Sequence, residues 1–160
     1  MDQNPLNEEV KRFLKQACEE AEKSVIEDGG CPFGAIVVKN GQVIARGRSI
    51  KLKLKDPTAH AEVMAIREAS ANLGTFSLNG CTLYSSSYPC PMCFCACLWA
   101  GIDKVYYACT LEDAADAGFH DSHFYSIIID EEKRGRFATG ASIDGARQAM
   151  KLWGDKDDKY

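Results

Sequence analysis

The sequence predicts an α/β fold, because helical and extended patterns alternate along its 160 residues. Apolar residues recur at helical spacing near the N-terminus, and the pair Asn40-Gly41 is a strong hairpin signal between two β-rich runs. After the hairpin, helices alternate with single strands, which implies crossover connections over a sheet covered on both faces. No repeat or low-complexity linker interrupts the chain. We therefore expect one domain over residues 1–160.

The first elements are a long helix and a two-stranded hairpin. Residues 6–28 are expected to form the helix, and Gly29-Gly30 ends it. Residues 33–39 and 42–46 are expected to form the two strands. A second helix opens at Asp56-Pro57, with Asp56 or Thr58 as its N-cap, and ends near Gly74.

The second half of the chain continues the alternation and then becomes polar. Residues 81–85 read as a third strand, a third helix runs from Pro91 to about residue 100, and residues 104–108 read as a fourth strand. A short helix is expected around residues 113–117. The tail from residue 131 is polar, and residues 143–153 within it have a helical pattern.

Charge and hydropathy indicate a small-molecule substrate rather than nucleic acid or a membrane. The formal net charge is -4, and the one basic run is RGRSIKLKLK at residues 46–55. The longest apolar stretch, residues 93–100, is far too short to span a bilayer. The N-terminus lacks the features of a signal peptide, and three of the eight cysteines crowd one short segment. We expect a cytoplasmic protein.

Two short motifs carry the chemistry. They are His60-Ala61-Glu62 and Pro89-Cys90-Pro91-Met92-Cys93. One imidazole and two thiolates suit Zn²⁺, and three protein ligands leave its fourth position open, as in catalytic sites. Glu62 is not needed as a ligand and is placed to move protons. Ala61 is small, and its backbone N–H is placed to contact a substrate.

The cysteines allow interpretations other than a catalytic zinc site. An isolated C-x-x-C motif also occurs in redox pairs and as half of a structural zinc site. Cys97 could be a fourth ligand, which would make the site structural. It lies one helical turn beyond Cys93, about 5.4 Å along the axis, too far for easy convergence on one metal. We therefore expect His60, Cys90 and Cys93 as the ligands.

The motifs are expected at two helix starts on one edge of the sheet. We place His60 in the first turn of the second helix, and Cys90 and Cys93 on either side of the first turn of the third. Helices that follow strands in a layered α/β sheet begin at the edge where ligands bind. Two helix N-termini there favour anions and help to keep both thiols as thiolates.

The motif pair H-x-E and P-C-x-x-C resembles that of the zinc nucleobase deaminases. The chain is further similar to the guanine deaminase branch of the cytidine deaminase superfamily, most specifically in DAADAGFHD at residues 113–121. The resemblance implies a three-layer α/β/α sandwich, cytidine deaminase-like, with a mixed sheet of about five strands. It implies one Zn²⁺ per subunit and hydrolytic removal of an amino group from a free purine base. It also implies a homodimer in which residues 131–160 are exchanged.

The resemblance further implies roles for individual residues. Phe33 would pack on the base, and Asp121 would be a second proton shuttle that assists departure of the amine. Trp99 and Tyr160 would be aromatic residues around the base, with Tyr160 supplied by the partner subunit. For Phe33 and Trp99, ordinary core packing is an equal alternative.

Two departures from the family pattern bear on the substrate. Ser49 stands where the family has a substrate-holding Asn, and Tyr88 stands where it has Glu; both are expected to line the substrate site. A related purine, pteridine, triazine or aminopyrimidine could fit the reshaped pocket. His120 and His123 flank Asp121; they could take part in proton transfer, but ordinary surface or core histidines are the favoured interpretation.

Three functions compete on the sequence alone. The first is deamination of a free base, with guanine converted to xanthine. The second is editing of adenosine or cytidine in a nucleic acid, which the acidic charge disfavours. The third is a non-catalytic, zinc-stabilised binding module.

Overall fold

A computed structural model describes residues 7–157 of the chain. Four strands form its sheet: β1 (Gly34–Lys39), β2 (Gln42–Arg48), β3 (Cys81–Ser87) and β4 (Lys104–Cys109). Eight helices surround the strands in the sequence: α1 (Glu8–Asp28), α2 (Lys51–Leu54), α3 (Ala61–Leu73), α4 (Pro91–Ala100), α5 (Leu111–Asp116), α6 (Asp121–Ile129), α7 (Glu131–Phe137) and α8 (Gln148–Gly154). The chain forms two compact units, with the boundary between Tyr125 and Ser126.

The sheet is mixed, with strand order β2-β1-β3-β4. The β1–β2 and β1–β3 pairs are antiparallel, and β3 and β4 are parallel. The parallel pair is joined through α4, as a crossover connection requires. The hairpin turn is at Asn40-Gly41, as expected, and both residues have positive φ.

Buried side chains on both faces of β1 make the sheet the middle of three layers. Ile36 and Val38 point to α1 and pack with Phe13 and Tyr84. Ala35 and Val37 point to the opposite face, in a cluster with small residues of α3 and α4. This confirms the α/β/α arrangement, and period-two alternation with both faces apolar is its cause.

The sheet has four strands among the described residues, so the expectation of about five was wrong. The chain after β4 turns helical because it carries helix-starting residues. The Thr110 side chain accepts from the Asp113 backbone N–H, and the Asp113 side chain accepts from Thr110 N, a capping box that starts α5. The Asp130 side chain caps α7 by accepting a hydrogen bond from the Lys133 backbone N–H.

The helix that carries the H-x-E motif begins later than expected. Asp56 accepts hydrogen bonds from Thr58 N at 2.8 Å and from Thr58 Oγ1 at 2.7 Å, and these close a separate turn before the helix. The α3 helix therefore starts at Ala61, with His60 as its N-cap residue. The short helix α2 was not expected either; it has no side-chain cap.

A glycine allows α3 to approach the sheet closely. A Cβ atom at Gly47 of β2 would lie 2.0 Å from the carbonyl oxygen of Ala61 and 2.5 Å from the backbone N of Ala65. Only glycine fits this contact, which places the first turn of α3 directly against the sheet. Within residues 7–157, none of the helices combines the length and the apolar character needed to span a bilayer.

Candidate metal and catalytic site

Two N-cap residues bring the metal-binding motifs together. His60 precedes α3 and Cys90 precedes α4, both with extended backbone, and neither side chain caps its own helix. Their side chains can therefore bind another partner. His60 and Cys90 are thus just outside the helices rather than in a first turn as we expected for His60. Pro91 in the first turn of α4 suits the helix start because its missing N–H would have had no helical partner.

The three ligand atoms converge as a zinc site requires. Nδ1 of His60 lies 3.5 Å from Sγ of Cys90 and 3.6 Å from Sγ of Cys93. Zn–N and Zn–S bonds of about 2.0 and 2.3 Å at a tetrahedral angle would separate N and S by about 3.5 Å. All three atoms lie within 4.8 Å of one another. The donor set therefore fits Zn²⁺ with one position left for a non-protein ligand.

The protonation of the two thiols differs before metal binds. A hydrogen bond with Cys93, together with the His60 ring, lowers the pKa of Cys90 well below its usual range. The contact with Cys90 and burial raise the pKa of Cys93. The hydrogen bond with Cys90 also raises the pKa of His60. Because a bound metal requires both thiolates, metal binding must release the Cys93 proton.

Cys97 lies outside this group of ligands. It is buried in the apolar cluster between α3, α4 and the sheet. Burial raises its pKa to about 12, so it stays a thiol. Among residues 7–157, the clustered metal ligands are His60, Cys90 and Cys93, as expected.

Glu62 is held in the first turn of α3, with 5% of its surface exposed. Ser85 Oγ of β3 donates a hydrogen bond to Glu62 Oε1 at 2.9 Å. Burial raises the pKa of Glu62, while hydrogen bonds from its own backbone N–H and from Ser85 oppose that rise. The net result is a raised pKa, and a carboxyl group with a raised pKa is suited to accept and return a proton.

Ser85 was missed from the sequence. The signal that could have found it is the alternation along β3, which puts Ser85 on the same face as Leu83, two residues earlier. Leu83 belongs to the cluster that packs against α3. A serine on that buried face needs a polar partner, and α3 supplies Glu62.

Phe33 and Asp121 are both close to Phe119. The Phe33 ring packs edge-to-face on Phe119, with 4.7 Å between ring centroids. Asp121 follows two residues later, half-buried at the start of α6. Burial raises the pKa of Asp121, as does the nearby negative charge of Cys90. Asp121 is therefore within electrostatic range of the metal ligands.

Ser49 and Ala61 are both fully buried. Ser49 N donates to the Phe33 carbonyl oxygen at 3.0 Å, and the Ser49 carbonyl accepts from Cys31 N and from Ser24 Oγ, each at 3.1 Å. These bonds fix Phe33 and Ser49 to one another. Ala61 is packed in the cluster against the sheet.

Tyr88 packs with two other tyrosines close to the Pro89-Cys90 segment. Its ring lies 4.9 Å from that of Tyr107 and 5.9 Å from that of Tyr125, both edge-to-face. The Tyr125 hydroxyl donates to the Pro89 carbonyl oxygen at 2.7 Å. Tyr125, which the sequence did not single out, thereby holds the residue directly before Cys90.

The structure does not bring every expected residue to the cluster. Trp99 is 82% exposed, six residues or about 9 Å along the α4 axis beyond Cys93. His120 and His123 are exposed. Tyr160 lies outside the described residues. The roles of these four residues remain predictions.

Comparison with a family model identifies the motif-bearing region. Residues 7–109 match the cytidine and deoxycytidylate deaminase zinc-binding region. The match spans the first helix through the fourth strand and contains both motifs.

Comparison with individual proteins finds deaminases of two kinds. The chain is 49% identical over 119 residues to a guanine deaminase of Bacillus subtilis (strain 168), covering 74% of each protein. It is 47% identical over 96 residues to a tRNA-specific adenosine deaminase of Aquifex aeolicus (strain VF5), covering 60% of this chain and 63% of that protein.

Solved structures show the same relationship. The X-ray structure of guanine deaminase from Bacillus subtilis superimposes with a TM-score of 0.88 at 40% identity, covering 94% of this chain and 96% of that one. A guanine deaminase structure from Nitrosomonas europaea gives a TM-score of 0.65 at 30% identity, covering 68% of this chain and 63% of that one.

Proposed function

Since the chain belongs to the cytidine and deoxycytidylate deaminase zinc-binding family and is a zinc-dependent hydrolytic deaminase, we propose that its substrate is a free purine base, guanine before others. Water and guanine would give xanthine and ammonia. The observation that carries this proposal is the His60, Cys90 and Cys93 cluster beside buried Glu62. The guanine deaminase of Bacillus subtilis, matched over 94% of this chain, supports the choice of base.

His60, Cys90 and Cys93 would hold the zinc ion. Bound there, zinc supplies the Lewis acidity that lowers the pKa of water towards neutrality. The buried positions of the two sulfur atoms exclude bulk solvent from one side of the site. The remaining chemistry belongs to the side chains around it.

Glu62 would move the protons. Its Oε1 is fixed by Ser85, so the other oxygen can face the water and the base. Glu62 would accept a proton from the attacking water and deliver it to the ring nitrogen beside the reacting carbon. The new hydroxyl group on the reacting carbon would then lose its proton as the carbonyl forms, and Asp121 would assist transfer of that proton to the amino group, so that the C–N bond breaks and ammonia leaves.

Substrate contacts would come from residues on several segments. Phe33 would pack on the face of the base, Ala61 would present its backbone N–H, and Ser49 and Tyr88 would shape the pocket edge. Trp99 and Tyr160 are proposed to add aromatic surface, which requires the partner subunit for Tyr160.

We propose a homodimer in which residues 131–160 are exchanged, within a single functional domain of residues 1–160. Large apolar side chains of this segment are exposed, as an exchanged segment would have them in a single chain; examples are Phe137 at 87% and Met150 at 75%. Light scattering coupled to size-exclusion chromatography tests the dimer, and a monomer would refute it.

All eight cysteines are free, which supports a reducing location such as the cytoplasm.

Ammonia release tests the substrate. The zinc-loaded protein would be assayed with guanine, guanosine, adenine, cytosine, ammeline and pterins, and with tRNA as the polymeric substrate. We expect guanine to be the best substrate and the Glu62→Gln variant to be inactive on it. Absence of guanine turnover, or faster turnover of tRNA, would refute the proposal and leave the zinc site intact.

A further inference from the structure

Three consecutive residues after β2 each contact a different segment of the candidate site. Ser49 N donates to the Phe33 carbonyl oxygen at 3.0 Å. Ile50 N donates to the carbonyl oxygen of Ala59, the residue before the ligand His60, at 3.2 Å. Lys51 Nζ lies 5.7 Å from the centroid of the Phe119 ring. The chain therefore delivers a lysine to the site through two backbone hydrogen bonds.

Lys51 is half-buried, and its ammonium has no carboxylate partner in the part of the chain that the structure describes. Among residues 7–157, no carboxylate oxygen lies within 4.0 Å of its Nζ, whereas Lys53, two residues on, pairs with Asp28 at 3.3 Å. The contact that Lys51 makes instead is with the Phe119 ring, which itself packs on Phe33. An ammonium partly removed from water without a counter-ion gains most when an anion approaches it.

The charge of Lys51 reaches the catalytic groups. It lowers the pKa of Asp121, although burial and the charge of Cys90 raise that pKa overall. Lys51 and Asp121 form no ion pair, so the Asp121 carboxylate oxygens lie more than 4.0 Å from Lys51 Nζ.

We infer that Lys51 is a substrate-binding cation that favours, among bases of similar shape, the one that carries a negative charge on a deprotonated ring nitrogen or an acidic substituent. This inference rests on the proposed function and adds a charge preference to it. A neutral base gains little from the ammonium, whereas an anionic base gains a charge-assisted hydrogen bond.

Guanine and 8-azaguanine make a matched test pair. They have nearly the same shape, but the additional ring nitrogen makes 8-azaguanine more acidic, so a mildly alkaline buffer ionises it and leaves guanine neutral. Kinetics of both would be compared for the wild type, Lys51→Met, Lys51→Arg and the control Lys53→Met. Lys53 carries the same charge on the same short helix but pairs with Asp28.

We expect Lys51→Met to lower kcat/KM for 8-azaguanine about tenfold, mainly through KM, and to change that for guanine less than about twofold. Lys51→Arg should keep the preference for the anion, and Lys53→Met should behave like wild type. Calorimetric binding of 8-azaguanine to Glu62→Gln, with and without Lys51→Met, gives a second readout that needs no turnover. It should show the same tenfold loss.

Two results would overturn the inference. Equal losses for both bases would mean that Lys51 acts through Asp121 or the local structure, and unchanged kinetics for both would mean that it does not contact substrate. If the zinc-loaded wild type turned over neither base, the proposed function would fail. The binding measurement would then decide the role of Lys51 by itself.

Discussion

The Ser85 hydroxyl donates a 2.9 Å hydrogen bond to Oε1 of Glu62 and so joins the third strand to the first turn of the helix that follows His60. Both residues are buried. The Ser85 bond holds one carboxylate oxygen of Glu62 and so limits the directions in which the carboxylate can turn. This bond thus attaches the Glu62 carboxyl group to a strand of the central sheet.

Replacing Glu62 with Gln should remove catalysis and spare the metal. The amide has the same shape but cannot accept and return a proton, so kcat should fall by about 10³-fold or more. Ammonia release and zinc analysis of the purified variant measure the two effects. The exposed Glu112→Gln is the matched control and should be fully active; substantial activity in Glu62→Gln would exclude Glu62 as the proton carrier.

Replacing Ser85 with Ala should lower kcat about tenfold, because a hydrogen bond to a charged group is worth about 1.5 kcal/mol or more. Ser85→Thr retains the hydroxyl and should retain most of the activity. Steady-state kinetics on both variants, with zinc content checked, make the comparison. If Ser85→Ala were as active as wild type, orientation of Glu62 by β3 would be unnecessary.

Removing zinc should destabilise the fold. A metal present at about a thousand times its Kd stabilises by about 4 kcal/mol, which corresponds to about 10 °C in the Tm of a domain of this size. Calorimetric scans before and after chelation measure the change. Cys90→Ser should have the low Tm with or without added zinc, whereas Cys97→Ser should still respond to zinc, because Cys97 lies outside the ligand group. A Tm of Cys97→Ser that ignores zinc would contradict the assignment.

Tyr125→Phe should destabilise the turn before Cys90. Loss of the hydroxyl leaves the Pro89 carbonyl oxygen without the donor that it has at 2.7 Å, at a cost of about 1 to 2 kcal/mol in unfolding free energy. Urea unfolding of the zinc-loaded protein measures the change. Tyr107→Phe removes a hydroxyl from a neighbouring, more exposed ring and should cost less; equal costs would argue against the Pro89 bond as the cause.

Glu20 should make stability depend on pH. Burial alone would raise its pKa, but hydrogen bonds from Arg48, at 2.7 Å, and Lys23 lower the pKa below the usual value. A folded pKa below the unfolded one means that stability is present above the unfolded pKa and is lost as pH falls through the folded pKa. The ion pairs therefore stabilise the protein at neutral pH.

The variant Glu20→Gln should lower the unfolding free energy by about 2 kcal/mol at neutral pH, because Arg48 keeps its contacts with Glu27 and Asp28. The difference from wild type should shrink in acid. Urea unfolding of both proteins without zinc, over a range of pH, measures this without interference from metal release. Glu19→Gln, exposed on the same helix, should show no such trend; a constant difference at all pH values would refute the linkage.

Local signals in the sequence were sufficient for most of the secondary structure. The Asn40-Gly41 turn, the end of α1 at Gly29 and the start of α4 at Pro91 depend on the conformational preferences of the residues at those positions. The start of α3 was predicted too early, since the Asp56–Thr58 turn competes with a helical N-cap using the same side chains. The turn and the helix start are both formed by local hydrogen bonds of Asp56 and Thr58. The sequence prediction chose the helix start where the structure has the turn.

The sequence by itself determined the reaction, because the kinds of ligand in H-x-E and P-C-x-x-C define a zinc site with a carboxylate beside it. Only the tertiary structure decided which groups surround that site. Ser85 reaches Glu62 across 23 positions of sequence, and Lys51 reaches Phe119 across a still longer separation. Such contacts depend on how the sheet and helices pack, so they cannot be predicted from the spacing of nearby residues in the sequence. The metal-binding residues could therefore be predicted from the sequence, whereas the position of the Lys51 ammonium was seen only in the tertiary structure.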